Sequence, residues 1–228
     1  TISADYFGVF AGLIEKSLGK GKDFVGLMSN GTSGDINNIS FRVSRPRQER
    51  FQRMNEVAKL VANRVLAAHQ KVRFQKDITL AMEQTLLTLK NRQPTAKEIA
   101  FAKAVLSDQP PNPLPRLAEA YAHRTLALAN GPREEEIVLQ ALRLGEVGIT
   151  SIPCEVLCEI GLTLKAKSPL PQATFTIELA NGHNGYLPTP RQHALGGYET
   201  WMGTCTLEIL ASEKIKKTLL KMLEKVAD

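Results

Sequence analysis

Two apolar rhythms interleave along this chain, and that interleaving limits the fold more than any single residue does. Segments with the 3.6-residue period of a helix alternate with segments that repeat every second residue, as strands do. Tyr6, Phe7, Phe10, Leu13, Ile14 and Leu18 follow the helical period behind a capping Ser3, and Gly19-Lys20-Gly21 stops them. Phe24–Met28 is a short apolar run between glycine-rich turns and reads as a buried strand. A long amphipathic helix is expected over 46–69, with Pro46 in its first turn. Ile78–Leu89 alternates as a strand, and Thr95-Ala96-Lys97-Glu98 is a capping box that opens a helix to about Leu106. A proline-stiffened connector, 108–115, leads into a helix over 116–129.

Beyond Glu135, Ile137–Leu144 and Val147–Ile152 read as a hairpin turning at Gly145-Glu146. A helix over about 155–166, a strand over 174–179 and a terminal helix over about 207–226 complete the pattern. Helices and strands mix throughout and nothing repeats. The expected class is therefore α/β, with α+β as the alternative: a mixed β-sheet flanked by helices in a single domain, 1–228. The stretch at about 91–130 could be a helical insertion in it.

Composition narrows the function classes. No apolar run approaches the eighteen or more residues that span a bilayer, so no transmembrane segment is expected. The net charge of +6 is densest at Arg42, Arg45, Arg47, Arg50 and Arg53, but Glu49 and Glu56 interrupt the run. Only Phe41 and Phe51 lie near it, so it reads as a solvated helix face rather than a nucleic-acid surface. Cys154, Cys158 and Cys205 are too few and too odd in number for a disulfide framework and lack CxxC spacing. They read as small buried hydrophobes. Oligomeric state and location are not legible.

The chemistry concentrates between Pro153 and Glu199. Pro153-Cys154-Glu155 follows an apolar strand, and Glu155 alone reads as a first-turn carboxylate favoured by the helix dipole. Gly182 and Gly185 allow a tight loop in Ala180–Thr189 that carries Tyr186. Tyr198 follows twelve residues later, directly before Glu199. Upstream, Asn30–Asn38 is a loop of glycine, asparagine and Asp35, rich in donors suited to lining a polar pocket.

Taken together, these motifs resemble the catalytic domain of the neutral/alkaline ceramidase family, in its bacterial branch; the members are zinc-dependent amide hydrolases. The resemblance implies that Glu155 and Tyr186 are zinc ligands and that Tyr198 donates to the substrate carbonyl or its oxyanion. It implies substrate contacts from Gly34, Asp35, Asn37 and Asn38, with Asn37 where ceramidases carry a serine. It also implies that the histidine ligands lie upstream of Thr1, because the family's last one precedes a segment matched here by Ile2-Ser3-Ala4-Asp5. The chain would then be the C-terminal portion of such a domain, acting through a metal-activated water on an amide, with a small-molecule or lipid N-acyl substrate. The alternative is a binding domain that keeps the fold without a complete metal site, and His183 and His193 are the histidines that flank Tyr186.

Overall fold

The hairpin at Gly145 supplies the two central strands of the main sheet in the structure, a computed structural model that describes residues 2–19, 23–37, 39–44, 47–170 and 173–228. Gly145 takes φ +62°, the left-handed conformation a tight turn needs, and joins β2 (Glu134–Leu144) to β3 (Val147–Ile152). On one side of this hairpin β1 (Leu80–Lys90) pairs antiparallel with β2 along its full length. On the other, β5 (Phe175–Glu178) pairs parallel with β3, giving the order β1-β2-β3-β5. The expected class, α/β with a mixed sheet flanked by helices, is the one observed.

By internal packing the chain divides into two compact units, Thr1–Ser29 with Asn37–Asp77, and Asn30–Ile36 with Ile78–Asp228. The first is built on α1 (Asp5–Leu18) and α2 (Gln52–His69), with Phe10, Ile14, Ala58 and Ala62 at its centre. Ser3 Oγ accepts from the Asp5 amide, while Ala4 occupies the cap position. The strand expected at Phe24–Met28 does not form. Val25 and Leu27 are exposed, Gly26 packs against the backbone of Ala11, and the Gly26 N–H goes to the Glu15 carboxylate rather than to a strand. The helix expected from residue 46 begins at Gln52, because Phe51 takes a left-handed conformation (φ 64°). Pro46 and Arg45 lie outside the described residues. Within the arginine run, Arg50 lies over the Phe51 ring and Arg53 pairs with Glu56.

In the second unit, one face of the sheet is covered by α5 (Cys158–Lys167) and α7 (Ala211–Ala227). Leu89, Ile137, Leu139 and Ile152 from the strands meet Ile160, Leu164, Ile215, Leu219 and Leu223 from these helices. Burial of that kind supplies the main driving force for folding. The other face carries Leu80, Met82, Leu86 and Phe175, all exposed. Two helices, α3 (Ala96–Val105) and α4 (Ala118–Asn130), pack on each other around Ala102, Val105 and Ala122. The Thr95 capping box is present as expected, with both reciprocal hydrogen bonds formed.

Candidate active site

Glu155 is not in a helix. The helix expected over 155–166 starts at Cys158, and Glu155-Val156 forms a short strand, β4, parallel to β6 (Tyr186–Leu187). The pairing is what keeps this stretch out of the helix: the Glu155 N–H goes to Gly185 O at 2.9 Å. Glu155 and Tyr186 are therefore direct register partners although 31 positions separate them. In a parallel pair such partners project on the same face. The strands that feed them behave alike, since β3 and β5 run parallel with Ile152 opposite Glu178. Their C-terminal ends thus share an edge of the sheet, where α/β proteins commonly place their sites.

Glycine geometry fixes the second partner. Gly185 takes φ +70°, and a Cβ there would sit 2.4 Å from Thr204 O. Only glycine fits, and its fit lets the Tyr186 N–H reach the same Thr204 O at 3.0 Å. That contact seats the 198–206 segment beside β6. Tyr198 opens a short 3-10 helix (Tyr198–Thr200), its ring 5.3 Å from that of Tyr186 at 76°. The two phenol oxygens are 2.7 Å apart. Burial, then the hydrogen bond with Tyr198 and the neighbouring Glu155 carboxylate, raises the Tyr186 phenol above its ordinary value, so it stays protonated at neutral pH. His183 Nε2 stands 3.5 Å from Glu155 Oε1 and is largely solvent-facing. Glu155, His183, Tyr186 and Tyr198 line one cavity of about 730 Å³, walled on the far side by Tyr121 and Arg124 of α4.

The upstream loop is tied to this site from beneath. Glu178, the last residue of β5, is 4% exposed. Its carboxylate accepts from Asn30 Nδ2 (2.6 Å), Ser33 Oγ (2.5 Å), the Ser33 N–H (3.1 Å) and the Val156 N–H (2.8 Å). A buried carboxylate is stable only when its oxygens are paired in this way. It clamps the loop to the residue after Glu155. The Gly34 N–H reaches Val156 O at 2.8 Å, and a Cβ on Gly34 would come within 2.8 Å of Glu155 O. Asp35 Oδ1 accepts from the first amide of α5, Cys158 N, at 2.7 Å. Neither Gly34 nor Asp35 lines the cavity of Tyr186. Asn37 is exposed and belongs to the first unit; Asn38 lies outside the described residues.

Sequence reasoning passed over Glu178 and Arg92. A glutamate at an inward position of an alternating strand, in phase with buried Thr176, was the available signal for the first. Arg92 holds the Tyr198 segment, donating to Thr200 O (2.6 Å) and Cys205 O (3.3 Å), and only tertiary contact reveals that. His193 faces Cys205 Sγ at 3.8 Å rather than Glu155, and burial, with Arg92 nearby, lowers its pKa.

Among the described residues no three His, Cys, Asp or Glu side chains converge as a metal-holding group. Glu155 and Tyr186 supply two hard oxygens side by side, which suits zinc in kind. Zinc uses about three protein ligands and usually histidine among them. The described residues thus fit part of a zinc site, and among them no third ligand completes it.

The fold is ceramidase-like. Neutral ceramidase from Pseudomonas aeruginosa superposes with a TM-score of 0.68 at 16% sequence identity, over 97% of this chain and 40% of that one. A ceramidase complexed with C2 superposes with a TM-score of 0.65 at 15% identity, over 99% of this chain and 42% of the other. At such identities the likeness is one of fold, and the chain spans about two fifths of these neighbours' length. No protein-family model and no curated protein matches it by sequence. No helix among the described residues is long and apolar enough to cross a membrane.

Proposed function

We propose that this chain carries part of the active site of a zinc-dependent amide hydrolase whose substrate is a lipid N-acyl amide or a related small molecule. The supporting observation is the trio itself. Glu155 and Tyr186 are register partners, and the Tyr198 phenol stands 2.7 Å from that of Tyr186 in the wall of the same cavity. Glu155 and Tyr186 are assigned as two zinc ligands, with the histidine ligands upstream of Thr1 as the family resemblance implies. Zinc, when bound, would polarise the acyl group and activate water.

The chain's own residues do the rest. Tyr198, 46% exposed, is free to turn its O–H from Tyr186 to an acyl oxygen, where donors aimed at developing charge lower the barrier. Glu178 and Gly34 hold the backbone of β4 from which the Glu155 carboxylate projects. Asp35 anchors the start of α5. Substrate contacts by Asn37 and Asn38 rest on the resemblance alone. A polar amide head fits the cavity's wall of hydroxyls and backbone groups, Thr204, Thr206, Asn184 and Tyr198 among them.

A second reading, a binding domain without metal, is favoured by the lack of three converging donors among the described residues. Metal analysis after dialysis separates the two. The 228-residue chain is expected to retain well under one zinc, since two oxygen ligands make a weak site. The full-length protein is expected to hold one zinc, lost in Glu155→Gln. A full-length protein free of zinc, or one whose zinc ignores Glu155→Gln, overturns the hydrolase reading. One tightly held zinc on the 228-residue chain would hand completion of the site to His183.

A further inference from the structure

A second cavity, of about 220 Å³, lies where α3 and α4 meet Trp201. Its space comes from residue size: Ala102, Ala118 and Ala122 stand on the two helices where larger side chains would close the gap. Phe101 and Trp201 form its rim, each about half exposed. Apolar surface left in contact with water costs free energy in proportion to its area, and a hydrocarbon seated there recovers it. At about 220 Å³ the cleft holds less than one turn of a helix, which is about 10–12 Å across with side chains. A short alkyl chain is the occupant that its size and lining accept.

Two charged residues line it, and they are not equivalent. The Glu98 carboxylate is committed to the α3 capping box, accepting from Thr95 N (2.7 Å) and Thr95 Oγ (2.8 Å). Arg116 makes no hydrogen bond or ion pair among the described residues. An uncommitted guanidinium beside an apolar cleft matches a carboxylate, which it can engage with two parallel N–H donors. Tyr121 makes the inner wall. Its ring meets Trp201 edge-on, 5.3 Å between centroids at 74°, and its hydroxyl accepts from Thr204 Oγ at 3.4 Å. Tyr121 also lines the larger cavity that holds Tyr186 and Tyr198, so one side chain parts the two.

We infer that this cleft binds a short- to medium-chain fatty carboxylate, the alkyl chain between α3 and α4 and the carboxylate on Arg116. The site stands independently of the hydrolase reading, because none of its contacts uses Glu155, Tyr186 or a metal.

Trp201 is the only tryptophan of the chain, so its emission reports on this cleft without a label. The 228-residue chain is titrated with octanoate below its micelle concentration, and in parallel with octylammonium and octan-1-ol. Octanoate is expected to shift the Trp201 emission to saturation, with octylammonium about tenfold weaker, as one charge-assisted hydrogen bond implies. Arg116→Gln should weaken octanoate about tenfold and leave octan-1-ol unchanged. Ala118→Phe fills the cleft and should abolish all three responses. An emission change that is absent or does not saturate removes the site. Equal affinities for octanoate and octylammonium, or an Arg116→Gln variant that binds octanoate normally, remove the carboxylate assignment. A response retained in folded Ala118→Phe places the ligand elsewhere, and if that variant does not fold, Arg116→Gln decides alone.

Discussion

Tyr198 sits with its ring half in solvent and its phenol against that of Tyr186, an arrangement suited to a donor that can change partners. If it serves the oxyanion, its hydrogen bond strengthens as charge develops, and it matters more to the transition state than to binding. Tyr198→Phe, in a protein that carries the complete proposed site, removes the O–H and keeps the ring. It is expected to lower kcat by about a hundred- to a thousandfold, with KM and melting temperature nearly unchanged. Full kcat would make Tyr198 a packing residue, and unfolding would make it a structural one. At the same scale, thiol alkylation tests the burial pattern. Cys154 and Cys205 are buried and the thiol of each is pushed up by burial, whereas Cys158 is partly exposed. The native chain should take up one equivalent of iodoacetamide, at Cys158, and the unfolded chain all three, counted by intact mass. Two or more in the native chain would contradict the core around Gly185. The two tyrosines were singled out in the sequence because their spacing matches the resembled family, but Glu178 was not. Its role lies in four donors brought from Asn30, Ser33 and Val156, and no local pattern announces them.

Elements whose ends carry their own chemistry formed where the sequence placed them. The β2–β3 hairpin turns at Gly145, and α3 starts at the Thr95 box. That box is testable: Thr95→Ala removes an acceptor for the Glu98 amide and should cost about 1 kcal/mol. A melting-temperature loss of roughly 2–4 °C corresponds to it in a chain of this size. No change would mean that α3 is held by its packing on α4 alone. Elements that depend on distant partners formed elsewhere. Glu155 left the helix because β6 paired with it, and α5 starts three residues on because Asp35 meets the Cys158 amide there. Phe24–Met28 forms no strand, and the Gly26 N–H meets the Glu15 carboxylate instead.

At the scale of the molecule, pH offers a test of the interior. His193 is lowered by burial and then by Arg92, so its stabilising contribution is present above about pH 6.5, the unfolded value, and is lost as pH falls. Cys205 is raised by burial, so its contribution is present below about pH 8.5 and is lost as pH rises. Denaturant midpoints should therefore plateau between about pH 6.5 and 8.5 and decline on both sides. His193→Gln should flatten the acid side near the imidazole range, and an unchanged acid limb would show that His193 is not held neutral.

Periodicity, glycines and caps act through neighbours a few residues away, and for that reason the sequence alone determined the α/β class, the hairpin and the α3 start, while Glu155, Tyr186 and Tyr198 became candidates only through the family resemblance of their motifs. Only the tertiary structure decided that Glu155 is a strand residue facing Tyr186, that Glu178 ties the Asn30–Ser33 loop to β4, and that three alanines leave a cleft beside Trp201. Each of these is set by groups far apart in sequence meeting in space. A hydrogen bond across 145 positions, such as that from Ser33 to Glu178, leaves no trace in the residues around either end.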